Sequence, residues 1–199
     1  TVSNTGGIDA TSVSGAGLAA PFSFKGGSFP GTGGNCTSTL VAAANCTIVV
    51  TYNPAAAGSH SDAIDITYED GVTSQSSSRA VQGTAVTPAT FTITDGPSYD
   101  FGAVVTTVGV DKVFTVANTG AFNATAITGG GIAAPYIFKG GSYPGTGGNC
   151  GATLNSGSSC TIVVRFTPTA LGGSTDTIDI GFFDGAVPQT ASRDVQGTG

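Results

Sequence analysis

The chain has 199 residues and a net charge of −6, and only 9% of its residues are charged. Its six Lys and Arg residues are scattered singly and form no basic groove, so nucleic acid is not an expected partner. No apolar run approaches the length that spans a bilayer, so we expect no membrane insertion by this segment.

The chain contains a repeat with an offset of 114 residues and no gap. Residues 1–85 align with residues 115–199, and 47 of the 85 aligned pairs are identical. A period of this length suits one compact domain. The predicted domains are 1–85, a repeat that lacks its first strands, and 86–199, a complete repeat. Because residues 86–114 have no counterpart at the start, the chain resembles a window cut from a longer array.

Taken in chain order, the full repeat consists of short segments that alternate apolar and polar residues. This is the pattern of half-buried strands, and turn residues such as Asp95-Gly96-Pro97 separate them. The predicted strands are 89–94, 100–105 (at a sheet edge), 112–118, 122–128, 136–139, 160–166, 176–183 and 189–196. Seven or eight strands per full repeat predict an all-β fold of tandem immunoglobulin-like β-sandwich domains.

The alternation also predicts which side chains face the core. The inward positions of two strands are predicted to be Ile162, Val164, Phe166, Ile178, Ile180 and Phe182. In 122–128, Ile127 is predicted to face away from Ala124, Ala126 and Thr128.

Four aromatic positions keep the ring in both copies while the hydroxyl comes and goes. The pairs are Phe22/Tyr136, Phe29/Tyr143, Tyr52/Phe166 and Tyr68/Phe182. A catalytic phenol would not tolerate that exchange, whereas a ring that fills volume would, so packing is predicted. For Phe29 and Tyr143 an exposed contact is the open alternative.

A glycine-rich loop, KGGSFPGTGGNC at 25–36, returns as KGGSYPGTGGNC at 139–150. We call these two segments the glycine loops. A phosphate-binding loop needs Gly-Lys-Ser/Thr followed by a helix, but a strand follows here, which disfavours nucleotide binding. We expect compact structural loops in which glycines take left-handed turns, stiffened by Pro30 and Pro144.

The four cysteines fall in two C-x9-C spacings, Cys36 with Cys46 and Cys150 with Cys160. Zinc would need closer spacing and usually histidine. Two local disulfides are predicted, with buried free thiols as the alternative. Each disulfide would stabilise its repeat by about 2.5–3 kcal/mol on the chain-entropy model. Disulfides indicate an oxidising compartment, so the expected location is extracellular or the cell surface.

No catalytic residue, cofactor site or metal site is predicted. His60-Ser61-Asp62 has the residue types of a hydrolase triad, but neighbouring residues in a strand point to opposite faces. The second copy also has a serine, Ser174, at the position of His60.

Recurrent carboxylates are the remaining candidates for chemistry. They are Asp62, Asp65 and Asp70, repeated as Asp176, Asp179 and Asp184. Asp70-Gly71 and Asp184-Gly185 are typical of hairpin turns. Calcium stays an open alternative, although no D-x-D-x-D-G loop is present. We expect the recurrent cations Lys25/Lys139 and Arg79/Arg193 to pair with these acids.

Several motifs of the full repeat carry a family resemblance: YDFGAV at 99–104, KVFTVANTG at 112–120, SCTIVVRFTP at 159–168 and VQGTG at 195–199. They resemble the abnormal-spindle/hydin-like immunoglobulin-like repeats of exported bacterial surface proteins of the choice-of-anchor type. The resemblance implies a sandwich of seven to eight strands that serves as a spacer or adhesive module without enzymatic activity. The glycine loops are longer than is usual in this family, which leaves room for a specialised contact.

Two functional hypotheses follow. The first is a structural repeat module of an extracellular bacterial surface protein or adhesin stalk, with neighbouring repeats and, as an open alternative, a host or surface ligand as partners. The second hypothesis concerns the incomplete repeat, 1–85. Because residues 86–114 can complete only one of the two repeats, this repeat would expose core residues and an unpaired sheet edge. Either its missing strands were cut away with the rest of a longer array, or a neighbouring copy of the same chain donates a strand, which would give a self-assembling extracellular filament.

Overall fold

The computed structural model describes residues 1–199, which form β-strands and no helix. The predicted all-β class is therefore confirmed. The chain divides into two compact units, Thr1–Val86 (unit 1) and Thr87–Gly199 (unit 2), one residue beyond the predicted boundary. The molecule has no helix with the length and apolar character that crossing a membrane requires.

Unit 1 contains seven strands in three small antiparallel sheets. The strands are β1 (Val2–Ser3), β2 (Thr11–Ala16), β3 (Phe22–Phe24), β4 (Asn45–Cys46), β5 (Val50–Tyr52), β6 (Gly58–Glu69) and β7 (Ser74–Ala85). They pair as β1-β4, β3-β5 and β2-β6-β7, so β7 has a partner on one side only.

Unit 2 contains eight strands in two four-stranded sheets. The strands are β8 (Phe91–Ile93), β9 (Ser98–Ala103), β10 (Val110–Asn118), β11 (Thr125–Gly130), β12 (Tyr136–Phe138), β13 (Ser159–Phe166), β14 (Gly173–Phe183) and β15 (Pro188–Thr198). The sheets have the orders β12-β13-β10-β8 and β11-β14-β15-β9. All pairs are antiparallel except β9 with β15, and β9 lies at an edge as predicted.

The two sheets of unit 2 enclose one apolar core. Phe114, Ile162 and Phe166 come from one sheet and Ile178 and Ile180 from the other, and all five are fully buried. The inward faces predicted from the alternation are therefore confirmed. Tyr136 stacks on Phe166 with ring centroids 4.7 Å apart, so these recurrent rings fill core volume.

The prediction that Ala124 and Ile127 face opposite sides is wrong, because the structure buries both. The pairing of β11 with β14 shifts register between Thr125 and Thr128, and Ala126 has a φ of 52°. Such a bulge inserts a residue and reverses the alternation. Unit 1 repeats the feature, with a register shift between Thr11 and Ser14 and a φ of 52° at Ser12.

Unit 1 lacks the strand pairings that extend the sheets of unit 2. In unit 2, residues 110–114 of β10 pair with residues 162–166 of β13. Unit 1 has no counterpart of 110–114, and there β5 is only three residues long. Val81 of β7 is half-buried, whereas Val195, its counterpart on β15, is 1% exposed. This valine is thus less buried in unit 1 than its counterpart is in unit 2.

This difference predicts unequal costs for truncating counterpart core residues. Ile178→Ala should cost about 4 kcal/mol because it leaves a closed cavity, whereas Ile64→Ala should cost about 2 kcal/mol because Ile64 lines an open groove. Guanidinium unfolding of the whole chain, followed through resolved amide NMR signals of each unit, measures both. Equal costs in the two units would contradict this account of burial.

Candidate functional site: an open groove in unit 1

A groove with a volume of about 1010 Å³ opens along unit 1. Its lining combines apolar side chains of β1, β5 and β6 with polar groups at β1 and β7. The lining residues used below are Val2, Asn4, Gly6, Ile64, Ile66, Tyr68, Asp70 and Arg79. We call this feature the groove.

In unit 2 the corresponding space is filled by residues 87–103, which we call the leading segment. Its first strand, β8, pairs with residues 116–118 of β10, the counterparts of 2–4. Phe91 stacks on Phe182 with ring centroids 3.9 Å apart, and Phe182 is the counterpart of Tyr68. The second strand, β9, lies parallel to β15, the counterpart of β7. The groove of unit 1 is therefore the position that the leading segment occupies in unit 2.

Asn118 and the residues after it hold the start of the leading segment. The Asn118 side-chain oxygen accepts a hydrogen bond from the Thr90 amide at 3.2 Å, and the Thr119 amide donates to the Thr90 carbonyl at 2.8 Å. Gly120 packs so closely on the segment that a Cβ there would overlap the Pro88 carbonyl oxygen. A glycine is needed at this position because of that close approach.

Arg193 and Gln196 of β15 hold the middle of the leading segment. The Arg193 guanidinium donates to the Pro97 carbonyl at 2.9 Å and also to the Ile93 carbonyl. The Gln196 amide donates to the Asp100 carboxylate at 2.9 Å. Arg193 thus fixes the path of the chain between β8 and β9, and Gln196 holds β9 itself.

Unit 1 carries the same four residues with no segment to hold. The Asn4 side-chain oxygen accepts only from the Gly6 amide, at 3.0 Å. Arg79 and Gln82 are exposed, and neither side chain makes a hydrogen bond or an ion pair. A Cβ built on Gly6 would meet only the Asn4 side-chain oxygen, at 3.2 Å. The residues that bind the leading segment in unit 2 are therefore present in unit 1, where Arg79 and Gln82 have no partner.

Both predicted disulfides are present, and no free cysteine remains. The Cα atoms are 4.8 Å apart for Cys36–Cys46 and 4.9 Å apart for Cys150–Cys160. Cys46 belongs to β4 and pairs with Val2, so the first disulfide joins a glycine loop to the strand beside the groove.

Backbone hydrogen bonds order the glycine loops. In the first loop the Thr32 amide donates to the Lys25 carbonyl at 2.6 Å, and the Val49 amide donates to the Pro30 carbonyl at 2.8 Å. The second loop repeats both bonds. The Tyr143 ring packs edge-on against Phe138 at 5.6 Å, as Phe29 does against Phe24. The aromatic residue of each loop thus packs inward, as predicted for these rings.

The predicted pairing of the recurrent cations with the recurrent acids is wrong. Lys139 pairs at 2.9 Å with Asp111, an acid that the first copy lacks, and Arg193 binds carbonyl groups. Five of the six recurrent acids accept other hydrogen bonds instead, and Asp65 is the exception. Asp176, for example, accepts the amides of Ala133 and Thr177 at 2.8 Å each.

The recurrent carboxylates do not converge. No three His, Cys, Asp or Glu side chains lie close enough together to hold a metal ion. Asp184 accepts the amides of Ala186 and Val187 at the β14–β15 turn, and these bonds lower its pKa. Asp70 does the same in unit 1, which agrees with the hairpin turns predicted from sequence.

His60 contacts the half-buried ring of Tyr52 and makes no hydrogen bond with Ser61 or Asp62. Its Nδ1 lies 2.9 Å from the Tyr52 hydroxyl. In the stacked ring pair of unit 2 the hydroxyl belongs to Tyr136 and not to Phe166, the counterpart of Tyr52. Tyr136 donates to the Ser174 carbonyl at 2.8 Å, and burial raises the Tyr136 pKa to about 12. Each unit therefore satisfies one aromatic hydroxyl, with different partners.

No protein-family model and no curated protein matches the chain. Among solved structures, the PapD-like domain 7 (an ASH domain) of human CEP192 is similar over 56% of this chain and 85% of that chain, with 14% identity and a TM-score of 0.39. A Porphyromonas gingivalis protein of unknown function is similar over 97% and 87%, with 13% identity and a TM-score of 0.42. The Vibrio cholerae VesB protease is similar over 56% of this chain and 32% of that chain, with 14% identity and a TM-score of 0.43. The chain thus spans about a third of VesB.

Asp111 gives unit 2 a pH-dependent contribution to stability that the sequence did not reveal. Arg165 at 2.6 Å and Lys139 at 2.9 Å lower its pKa from 3.8 to about 2. Asp111→Asn should therefore cost about 1 kcal/mol at neutral pH, after allowance for solvent screening. The difference should be nearly complete above pH 4 and should be lost as the pH falls through 2.

Chemical unfolding of wild type and Asp111→Asn between pH 2 and 7 measures this effect. Asp194→Asn is a matched control, since Asp194 is an exposed acid of the same unit in no ion pair. A stability difference for Asp111→Asn that stays constant down to pH 2 would contradict the assignment.

Proposed function

We propose that the chain is a non-enzymatic structural repeat module of an extracellular bacterial surface protein or adhesin stalk. The observation that carries the proposal is the structural role of the residues that recur in both repeats. The recurrent rings pack in the cores or against one another, and the recurrent cysteines form disulfides. Asp70 and Asp184 cap hairpin turns, and Asp62 and Asp176 accept backbone amides. Packing and backbone fixation thus account for these rings, cysteines and carboxylates.

The two disulfides support an oxidising compartment for the module. Each disulfide closes a short loop, with a separation of 10 residues, and ties a glycine loop to the strand that follows it. Disulfides persist mainly in exported proteins. Neighbouring repeats, or other copies of the chain, are the proposed partners, and any adhesive contact with a host or surface ligand would be additional.

A second candidate function is a subunit of an extracellular filament that is completed by strand donation. The groove favours it, because an unpaired edge beside open apolar surface is the arrangement that accepts a strand from elsewhere. Both candidates are extracellular. They differ in what completes unit 1: a neighbouring repeat in the stalk, and a strand from another copy of the chain in the filament.

Immunogold labelling of intact source cells tests the proposed location. Antibodies raised against the 199-residue chain should label the outside of unpermeabilised cells or material attached to them. The same antibodies on cells with the gene deleted give the control. Label that appears only after permeabilisation would refute the proposal.

A further inference from the structure

We propose that residues 25–40 and 139–154 are edge caps, which stop each unit from pairing laterally with a strand of a second copy of the chain. Each edge cap consists of a glycine loop and the four residues that follow it. The two caps differ in sequence only at the pairs Phe29/Tyr143, Thr37/Gly151 and Ser38/Ala152. This inference goes beyond the proposed role as a repeat module, because it assigns a task to the glycine loops.

In unit 2 the first half of the edge cap bonds to the outer edge of β13. β12 is only three residues long and covers only the C-terminal end of that edge. Beyond β12, the Lys139 amide donates to the Val163 carbonyl at 2.9 Å, and the Val163 amide donates to the Pro144 carbonyl at 2.8 Å. The Asn149 side-chain oxygen accepts the Thr161 amide at 2.7 Å, and the Asn149 amide donates to the Thr161 carbonyl at 2.9 Å. The outward backbone groups of Thr161 and Val163 are therefore paired within the chain.

The second half of the edge cap bonds to β11, the edge strand of the other sheet, and to the residue just before it. The backbones of Ala124 and Leu154 exchange two hydrogen bonds of 3.0 Å, and the Ile127 amide donates to the Ala152 carbonyl at 3.1 Å. Between the two halves, the disulfide of unit 2 joins the cap to β13. One continuous segment thus covers an edge of each sheet, and the disulfide holds it where it crosses from one edge to the other.

Unit 1 forms the same bonds with its own edge cap. The Val49 amide donates to the Pro30 carbonyl at 2.8 Å, and the Asn35 side-chain oxygen accepts the Thr47 amide at 2.6 Å. The bonds to the start of β2 recur as well. None of these contacts involves the leading segment or its counterpart, so the cap covers the same edges in both units independently of that segment.

The glycines let the edge cap pair inward without becoming a new edge strand. Four glycines of the second cap have φ between 85° and 95°, namely Gly140, Gly141, Gly145 and Gly147. Residues in this left-handed region interrupt the extended backbone that a further strand would need. Gly148 is needed for another reason, since a Cβ there would lie 2.7 Å from the Pro144 carbonyl oxygen and 2.8 Å from that of Thr161.

The aromatic residue of each edge cap anchors it between the two sheets. The Tyr143 ring packs edge-on against Phe138 of β12, and a Cβ on Gly129 of β11 would overlap the same ring. Phe29 and Gly15 have the same arrangement in unit 1. The ring thus fixes the cap to both of the edges that its backbone covers.

The strand that would pair with an uncapped β13 is β13 of a second copy of the chain. Residues 161–164, Thr-Ile-Val-Val, are β-branched and uncharged, a composition that favours strand pairing. Two antiparallel copies of one strand offer each other the same pattern of backbone donors and acceptors about a two-fold axis. The edge cap therefore protects a strand that carries no charged side chain over these residues.

Gly148→Ala, compared with Gly151→Ala in the full 199-residue protein, tests the proposal. Neither glycine has a positive φ, but a Cβ on Gly151 meets nothing within 4 Å, and its counterpart is Thr37. Gly148→Ala should therefore displace the edge cap from β13, whereas Gly151→Ala should leave it in place.

Amide hydrogen exchange and sedimentation measure the two consequences. In dilute Gly148→Ala protein, the amides of Thr161 and Val163 should exchange at least about tenfold faster than in wild type, and the Ile162 amide, which faces β10, should not. At millimolar protein the variant should dimerise with a dissociation constant at least about tenfold lower than that of wild type or Gly151→Ala, and the two amides should regain protection. Unit 1 is unchanged in all three proteins, so any association through it is common to them.

Asn149→Ala is a milder second variant, which decides the case if Gly148→Ala destabilises unit 2 as a whole. It removes the acceptor of the Thr161 amide, so it should speed the exchange of that amide and increase dimerisation. Asn155→Ala is the matched control, because Asn155 is an exposed residue of the same connection whose side chain makes no hydrogen bond.

Each contrary result overturns the proposal. Unchanged exchange of the Thr161 amide in both variants would show that the segment does not cap β13. Fast exchange in a protein that stays as monomeric as wild type would show that the cap does not prevent association, and so would equal dimerisation of Gly148→Ala and Gly151→Ala. Loss of protection throughout β13 in both Gly148→Ala and Asn149→Ala would show that the segment stabilises the unit and not its edge. None of these results depends on where antibodies label the cell, so the location of the module is tested separately.

Discussion

Pairing of the leading segment with two sheets is the interaction on which the difference between the units depends. In unit 2, β8 extends one sheet and β9 extends the other, so 17 residues complete both layers of the sandwich at once. Unit 1 has the same core side chains on its remaining strands but neither added strand. Its sheets have only two or three strands, β7 remains an edge, and the apolar floor stays open as the groove.

The fold could be predicted from sequence because its strands follow simple periodicity. Segments such as 160–166 alternate regularly, since inward and outward side chains differ in polarity. The bulge at Ala126 broke this rule, because an inserted residue changes which side chains face the core without changing composition. The disulfides were predictable from a repeated spacing, which requires only local geometry.

The polar part of the candidate site was harder to predict. Arg79 and Arg193 were expected to pair with acids, but Arg193 donates to backbone carbonyl groups. Every residue has a backbone carbonyl, so the sequence does not indicate which one an arginine will bind. Asp111 was missed since it has no counterpart in the first copy. The recurrence of Asn4, Gly6 and Gln82 was the available signal, and it became interpretable only when the contacts of unit 2 showed what these residues hold.

Amide hydrogen exchange of the isolated chain, measured for counterpart strands, tests the central claim most directly. After correction for intrinsic rates, β7 should exchange at least about tenfold faster than β15, and β1 faster than residues 116–118, because in unit 1 nothing pairs with their outer edges. Equal protection of β7 and β15 would mean that unit 1 is closed without a leading segment, and would contradict the account.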